Sequence, residues 1–386
     1  MSSSPPRPRK QEQETAREEV TEVAPGVLRM ELPIRMPGLG HVNCYALLDE
    51  RGAAVVDPGL PGTATWRALQ TRLARAGLRV RDVHTVIVTH SHPDHFGGAT
   101  RFSREAGARV VAHRAFRFGV SEATQAHERP EVSVDDLAAQ ADAERSPRGD
   151  AEPAHASSHG HSHHDHAPAR QPREPWKAGR TPWGGEPPKP SFKMRMRWRV
   201  ARWLGGLSFV PTISDPVEGG DVLRLAGRDW FVVHTPGHTE DHFCLHDPDE
   251  GLFLAGDHVL PTITPHISGL STRADPLAAY FESLDRVAEI TPVQRVLPAH
   301  GHPFEDLADR CKAIQKHHVE RLERVKAIGR ELGLASVPDF SKHLFNPRSW
   351  GPMADSETYA HLEHLRLLGH AETRREPDGT LLYTTG

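Results

Sequence analysis

The chain has 386 residues, including 33 prolines and 32 glycines, and its formal net charge at pH 7 is −4. This length suffices for one large domain with a buried core and appendages. The nearly balanced charge provides no general attraction to nucleic acid or to an anionic membrane, so we expect no DNA or membrane partner, and RNA is disfavoured.

The first 20 residues are polar, charged and rich in proline. Such a segment buries too little apolar surface to offset its conformational entropy, which predicts a disordered leader over residues 1–20. No apolar segment follows that would form a secretory signal, and no stretch approaches the roughly 20 apolar residues of a membrane helix. The cysteines Cys44, Cys244 and Cys311 are odd in number and far apart, which is typical of a reduced protein. We therefore expect a cytoplasmic location.

From residue 23 onward, short apolar runs alternate with turn signals and amphipathic stretches. The runs predict strands at residues 51–56, 84–88, 108–112, 230–234, 252–255 and 293–297. An amphipathic segment with Trp66, Leu69 and Leu73 predicts a helix between the first two. Strands alternating with helices indicate an α/β layered domain, in which strand ends deliver polar residues to one edge of a sheet.

Residues 118–190 interrupt this alternation with a low-complexity segment rich in histidine and proline. Six histidines fall within residues 155–166, namely His155, His159, His161, His163, His164 and His166. Such tracts usually lie outside a folded core, so we predict an insertion, with loose metal scavenging as the alternative. The basic and aromatic segment 191–207 then fits a helix that packs on the main domain or a lid over the active site, although a strand pattern fits nearly as well.

Residues 306–386 predict a helical linker and a small winged-helix-like module. A strongly helical stretch at 303–334 has an apolar stripe that includes Leu307, Cys311 and Ile314, and a second helix signal covers 356–368. A hairpin follows at 371–383. Residues 351–386 contain three arginines against six acidic residues, a poor surface for phosphates, so we favour packing or dimerisation over DNA binding.

Four potential metal ligands lie within six positions directly after the apolar run 86–88. They are His90, His92, Asp94 and His95. A strand that ends in such a cluster aims several ligands at one point, which is costly unless a cation occupies it. Three more strand predictions are each followed closely by a histidine or an aspartate: His238, Asp257 and His300. The pattern indicates a metalloenzyme.

This set of residues resembles the ligand signature of the metallo-β-lactamase superfamily. The spacing His90-x-His92-x-Asp94-His95, followed by His238, Asp257 and His300, matches its motifs, and Asp57 matches the remaining one. The resemblance covers residues 23–115 and 208–305. Residues 235–242 and 256–263, together with the tail, resemble the LACTB2-like and glyoxalase II-like hydrolases, which often carry a winged-helix extension.

The resemblance implies a four-layer αββα sandwich over residues 21–305 that holds two Zn²⁺ ions. In such a site one metal is bound by His90, His92 and His238, the other by Asp94, His95 and His300, and Asp257 bridges both. Asp94 is also the expected catalytic residue, because it would orient a hydroxide that attacks the thioester or ester carbonyl of a small acyl substrate. Asp57 would orient a ligand rather than bind metal. His242 and His258 would be substrate contacts, supporting residues or surface histidines.

Several alternatives within the superfamily stay open. The hypothesis of lactone cleavage is weakened, because Leu260 occupies the position where the well-known lactonases have tyrosine. Lys312, Lys316, Arg321 and Arg324 occupy a region comparable to the glutathione-binding helices of glyoxalase II. Single-strand ribonuclease activity is a further possibility. A mononuclear iron persulfide dioxygenase would use one Fe²⁺ held by His92, His238 and Asp257. The sequence is also compatible with a homodimer.

Overall fold

Two mixed β-sheets form the centre of the protein. The computed structural model describes residues 10–36, 38–118, 181–184, 196 and 209–386. The first sheet has seven strands in sequential order: β1 (Val20–Ala24), β2 (Val27–Met36), β3 (Leu39–Asp49), β4 (Gly52–Val56), β5 (Val83–Val88), β6 (Arg109–His113) and β7 (Asp215–Val217). Strands β1 to β4 are antiparallel and β4 to β7 are parallel.

The second sheet has five strands in the order β12-β11-β10-β9-β8. Its strands are β8 (Val222–Leu225), β9 (Arg228–His234), β10 (Phe243–Asp247), β11 (Leu252–Gly256) and β12 (Arg295–Pro298). The pair β11 and β12 is parallel, and the other pairs are antiparallel. The six strands predicted from sequence all correspond to strands of these two sheets.

Helices cover the outer faces of both sheets. Helices α1 (Thr63–Arg75), α2 (Pro93–Phe96) and α3 (Ala99–Ala106) accompany the first sheet, and α4 (Pro276–Ala288) covers the second. Side chains alternate along the strands: Tyr45 and Leu47 of β3 enter the core between the sheets, whereas Cys44 and Ala46 face the helices. Strands that are covered by helices on one face and by the other sheet on the opposite face must be apolar on both faces. This explains the continuous apolar runs in the sequence. The predicted αββα sandwich is confirmed.

The C-terminal region forms a module of helices and a small sheet. Its elements are α5 (Leu307–Leu332), β13 (Ala335–Ser336), α6 (Val337–Leu344), α7 (Pro352–Leu367), β14 (Ala371–Arg375) and β15 (Leu381–Thr385). The order helix, strand, helix, helix and hairpin is winged-helix-like, as predicted. Its apolar core, which includes Phe340 and Tyr383, is continuous with that of α4 and the second sheet. No helix among the described residues is long and apolar enough to cross a membrane.

Residues 10–19, which we call the N-terminal strap, are ordered, although the sequence predicted a disordered leader there. The strap includes a 3-10 turn at Gln11–Gln13, and the Glu12 side chain is fully buried. The Glu12 carboxylate accepts hydrogen bonds from the backbone nitrogens of Thr262 (2.7 Å) and Ile263 (3.1 Å). These bonds join the strap to the loop that follows β11, and they give the buried Glu12 carboxylate the hydrogen-bond donors that it needs. The prediction of disorder through residue 20 is therefore wrong for residues 10–20.

Both ends of the predicted insertion pack on the folded domain. The ring of Phe118 lies 5.0 Å from that of Phe96. Trp183 is 5% exposed, its ring lies 5.1 Å from that of Tyr359, and its carbonyl accepts a 2.9 Å hydrogen bond from the Leu381 nitrogen. The prediction that all of 118–190 lies outside the core is therefore wrong at these ends. The six-histidine tract, and the segment 191–207 apart from Met196, lie outside the described residues.

All three cysteines are buried free thiols. Burial raises the pKa of Cys44 and Cys244, and it raises that of Cys311 to about 12. Because the thiolate is the reactive form, the native protein is expected to react negligibly with an aromatic disulfide reagent. After denaturation, three thiols per chain should react. Rapid labelling of one thiol in the native protein would contradict this prediction.

Candidate metal centre

The ends of four strands deliver the predicted ligands to one edge of the sandwich. Strand β5 ends two residues before His90, and α2 then begins with Pro93, so Asp94 and His95 lie on its single turn. The other three ligands follow β9, β11 and β12, and they are His238, Asp257 and His300 respectively. Chain order scatters these residues over more than 200 positions, and the sheet topology brings them together.

The first ligand group contains His90, His92, His238 and Asp257. The Nδ1 atom of His92 lies 3.0 Å from His90 Nε2 and 3.1 Å from His238 Nε2. The Oδ2 atom of Asp257 lies 3.8 Å from His90 Nε2 and 3.6 Å from His238 Nε2. Three imidazole nitrogens and one carboxylate oxygen therefore converge on one point.

The second ligand group contains Asp94, His95 and His300. The Oδ2 atom of Asp94 lies 3.6 Å from the Nε2 atoms of both His95 and His300. Asp257 also reaches this group, because its Oδ2 lies 3.4 Å from His95 Nε2 and its Oδ1 lies 3.3 Å from His300 Nε2. The Asp257 carboxylate thus faces both groups at once, which is the geometry of a bridging ligand.

Hydrogen bonds at Nδ1 fix the orientation of the converging histidines. The Nδ1 of His238 donates to the carbonyl of His266 (2.7 Å), and the Nδ1 of His300 donates to the carbonyl of His41 (2.6 Å). A neutral imidazole that donates from one nitrogen carries a lone pair on the other. The Nε2 lone pairs are therefore directed toward the centre, where a metal would need them.

The residues present fit a pair of cations. The atoms His95 Nε2, His300 Nε2 and Asp257 Oδ1 are buried and have no hydrogen-bonding partner in the described part of the chain. Buried polar atoms that make no hydrogen bond are costly and rare, and bound ions would satisfy all three. Burial lowers the pKa of His90 and His92 well below the usual range, so both are neutral and able to coordinate. Imidazole and carboxylate donors suit zinc.

Asp57 supports the second group rather than joining it. Its Oδ1 accepts a 2.9 Å hydrogen bond from the Thr89 nitrogen, and its Oδ2 accepts from Thr89 Oγ1 (2.8 Å) and His95 Nδ1 (2.9 Å). The carboxylate therefore holds the ring of His95 and also fixes Thr89, the residue directly before His90. That Asp57 orients a metal ligand stays a prediction, which the following variant tests.

Replacing Asp57 with asparagine is expected to weaken metal binding in the second group about 10- to 100-fold. Asp57 has a positive φ of 53°, which asparagine tolerates, so the backbone should be kept. One amide oxygen cannot replace both carboxylate oxygens as acceptors. Competition with a chelator measures the affinity, and Asp49→Asn, at the opposite end of the first sheet, is the control. Equal affinities for both variants would contradict the proposed role.

His242 and His258 are both buried, so the surface alternative is wrong for each. The Nδ1 of His242 donates to Thr235 Oγ1 (2.7 Å), and its Nε2 accepts from the backbone nitrogen of Asp257 (3.0 Å). Both nitrogens of His242 are thus hydrogen-bonded, and its Nε2 holds the backbone of Asp257. A Cβ on Gly256, whose φ is 51°, would lie 2.6 Å from His242 Nε2, so glycine is required there.

Residues of the C-terminal module form a third histidine and carboxylate cluster, which the sequence did not reveal. His318 Nδ1 lies 3.1 Å from His361 Nε2, and Glu357 completes the group. His361 Nδ1 donates to the carbonyl of Glu357, whose carboxylate is engaged by Arg321 and His266. Because the carboxylate already has cationic and hydrogen-bonding partners, we assign no metal to this cluster.

The four basic residues compared with the glutathione-binding region all lie on α5. Lys312 and Lys316 are exposed and pair with acidic residues of their own helix. Arg321 is largely buried against Glu357, and Arg324 donates to a backbone carbonyl. These contacts give each residue a structural partner and provide no support for glutathione recognition.

Comparisons with known proteins identify the fold and the family. A crystal structure of a metallo-β-lactamase family protein from Thermus thermophilus matches with a TM-score of 0.67 and 27% identity, covering 95% of this chain and 100% of that one. The family model "Metallo-beta-lactamase superfamily" matches residues 37–165 and 161–302. The chain therefore belongs to the metallo-β-lactamase superfamily, as the sequence resemblance indicated.

Curated relatives match over shorter stretches. A β-lactamase-like protein 2 homologue of Drosophila melanogaster is 34% identical over 28% of this chain and 35% of its own length. An acyl-coenzyme A thioesterase of Gallus gallus is 26% identical over 42% of this chain and 54% of its own length. A hydroxyacylglutathione hydrolase of Maricaulis maris is 36% identical over 24% of this chain and 34% of its own length. These matches span about a third to a half of the relatives.

Proposed function

We propose that the protein is a binuclear zinc hydrolase that cleaves the thioester or ester bond of a small acyl substrate. The observation that carries this proposal is the Asp257 carboxylate, which faces both ligand groups at distances of 3.3 to 3.8 Å. When bound, paired zinc ions would supply Lewis acidity and lower the pKa of a shared water to roughly 7.

The protein residues then have separate roles. His90, His92 and His238 hold the first position as neutral imidazoles, and His95 and His300 hold the second. Asp94 completes the second position: it is 4% exposed and directs one carboxylate oxygen toward His95 and His300, so it can also orient the attacking water and accept its proton. No protein nucleophile is required, because the attacking oxygen comes from water.

The substrate class is supported by the names of two relatives. The matched proteins named acyl-coenzyme A thioesterase and hydroxyacylglutathione hydrolase both act on acyl thioesters by those names.

Two arginines of the C-terminal module are paired with nearby acidic residues, Arg366 with Glu363 and Arg374 with Glu376. This local pairing supports a small-molecule substrate over DNA or RNA. A homodimer stays a prediction, and light scattering would test it.

A hydrolysis panel tests the substrate class. Zinc-loaded protein would be assayed against short and long acyl thioesters, acyl esters, lactones and single-stranded RNA, with chelator-treated protein as the control. We expect zinc-dependent cleavage of thioesters or esters. Activity confined to lactones or RNA would replace the proposed class. If no substrate is hydrolysed and the iron-loaded protein consumes oxygen when a persulfide is added, the protein is a dioxygenase and the hydrolase proposal is wrong.

A further inference from the structure

The loop at residues 261–275, between β11 and α4, connects the metal centre to the C-terminal module. On one side, the backbone carbonyl of His266 accepts the 2.7 Å hydrogen bond from His238 Nδ1. On the other side, the His266 ring lies against Glu357 of α7, with His266 Nδ1 at 3.3 Å from Glu357 Oε2. One residue of this loop therefore contacts a ligand with its backbone and the module with its side chain.

Glu357 is held firmly by a second helix. Its other carboxylate oxygen forms an ion pair with Arg321 of α5, and the side chains of Glu357 and Arg321 are only 12% and 18% exposed. Burial alone would raise the pKa of Glu357, but the hydrogen bond from His266 and the charge of Arg321 lower it to about 2. The carboxylate is therefore ionised and already paired when it contacts the loop.

The same loop also contacts α7 at Ser356, the residue directly before Glu357. The backbone nitrogen of Gly269 donates to the carbonyl (3.2 Å) and the hydroxyl (3.1 Å) of Ser356. A Cβ on Gly269 would lie 2.5 Å from the Ser356 carbonyl oxygen, so only glycine allows this approach. The start of α7 thus fixes both the backbone and the His266 side chain of the loop.

We propose that Glu357 is a positioning residue for the metal centre: through His266 it holds the carbonyl that orients the His238 ring, so the C-terminal module stabilises the first ligand group. This inference rests on the proposed function, because it requires that the first group binds metal. Outer hydrogen-bonding partners of metal-bound histidines commonly change metal affinity by 10- to 100-fold. The sequence separation between Glu357 and His238 explains why no local motif reveals the link.

A control residue of the same type lies on the same helix. Glu363 is 5% exposed, accepts a 2.6 Å hydrogen bond from Tyr383 and pairs with Arg366. These contacts lie within the module and do not involve the loop. Glu363→Gln should therefore perturb the stability of the module without changing the orientation of His238.

The experiment compares Glu357→Gln, His266→Ala, their double variant and Glu363→Gln as full-length zinc-loaded proteins. His266→Ala keeps the backbone carbonyl and removes only its anchor. The readouts are the rate of zinc release to excess chelator, the visible spectrum of the cobalt-substituted protein and the thermal unfolding temperature. We expect about tenfold faster release of one metal in both single variants, and no further increase in the double variant, because both changes break one link.

Glu363→Gln should release zinc at the wild-type rate, even where its unfolding temperature falls. Wild-type release rates and cobalt spectra for Glu357→Gln and His266→Ala would overturn the inference. An equal acceleration in Glu363→Gln would also overturn it, because the effect would then follow module stability. If the wild-type protein binds no metal at the centre, the proposed function itself fails, so the two failures are distinguishable.

Discussion

Replacing Asp257 with asparagine is expected to reduce the tightly bound metal from about two ions to one or fewer per chain, and kcat/KM about 10³-fold. The Asp257 carboxylate faces both ligand groups, and an amide of nearly the same volume carries neither its charge nor its second acceptor oxygen. Metal content by mass spectrometry and kcat/KM on the same sample would measure the two effects together.

A buried aspartate at the opposite end of the second sheet provides the control for this variant. Asp247 is fully buried and pairs with Arg228, and its Oδ1 accepts hydrogen bonds from the backbone of the following turn. Asp247→Asn should lower the unfolding temperature and leave the metal content unchanged. Two metals and wild-type kinetics in Asp257→Asn would contradict the bridging role.

Replacing Asp94 with alanine is expected to lower kcat by about 10²- to 10⁴-fold, which is the usual contribution of a positioned acid or base. Within the second group, one carboxylate oxygen of Asp94 lies 3.6 Å from the Nε2 atoms of both histidines. Three other side chains, those of His95, His300 and Asp257, still surround the second metal position, so some metal should be retained. Activity should therefore fall further than metal content does.

Steady-state kinetics normalised to the metal bound would separate these two effects, and circular dichroism would establish that the variant is folded. A matched comparison is Asp57→Asn, which changes a carboxylate that only supports the ligands. That variant should lose activity in proportion to its lost metal. Retained hydrolysis in a folded Asp94→Ala protein would contradict the proposed mechanism.

The clustering of the candidate ligands could be predicted because its signals are local in sequence. His90, His92, Asp94 and His95 follow one apolar strand, and the other three ligands each follow a strand of their own. Regular strands end where polar and glycine residues begin, so each motif carries its own structural context. The structure brings all seven residues together in two groups that share Asp257.

Contacts between distant segments could not be predicted in the same way. Glu12 lies in a polar stretch, yet it is buried because it pairs with backbone donors about 250 positions away. Trp183 lies within a stretch of low complexity, yet it packs on the C-terminal module. The partner of each residue is set by the tertiary fold, and neither composition nor periodicity contains that information.

The reason for the two glycines after the ligand cluster also could not be predicted from the sequence, because it depends on a contact with a distant loop. Two consecutive glycines such as Gly97 and Gly98 usually indicate a tight turn. Neither has a positive φ, and a Cβ would instead lie 2.1 Å from the Pro61 nitrogen at Gly97 and 2.6 Å from the Pro58 carbonyl oxygen at Gly98. Glycine is needed for close packing of the loop after β4, which only the three-dimensional structure reveals.

The metal content of the protein tests the central claim most directly. The protein would be purified without an affinity tag and with residues 155–166 deleted, so that the six histidines of that tract do not add to the count. The proposed binuclear site predicts about two zinc ions per chain, lost together with hydrolysis on chelation. One iron ion per chain, with no zinc, would contradict the zinc hydrolase and direct the work to sulfur dioxygenation.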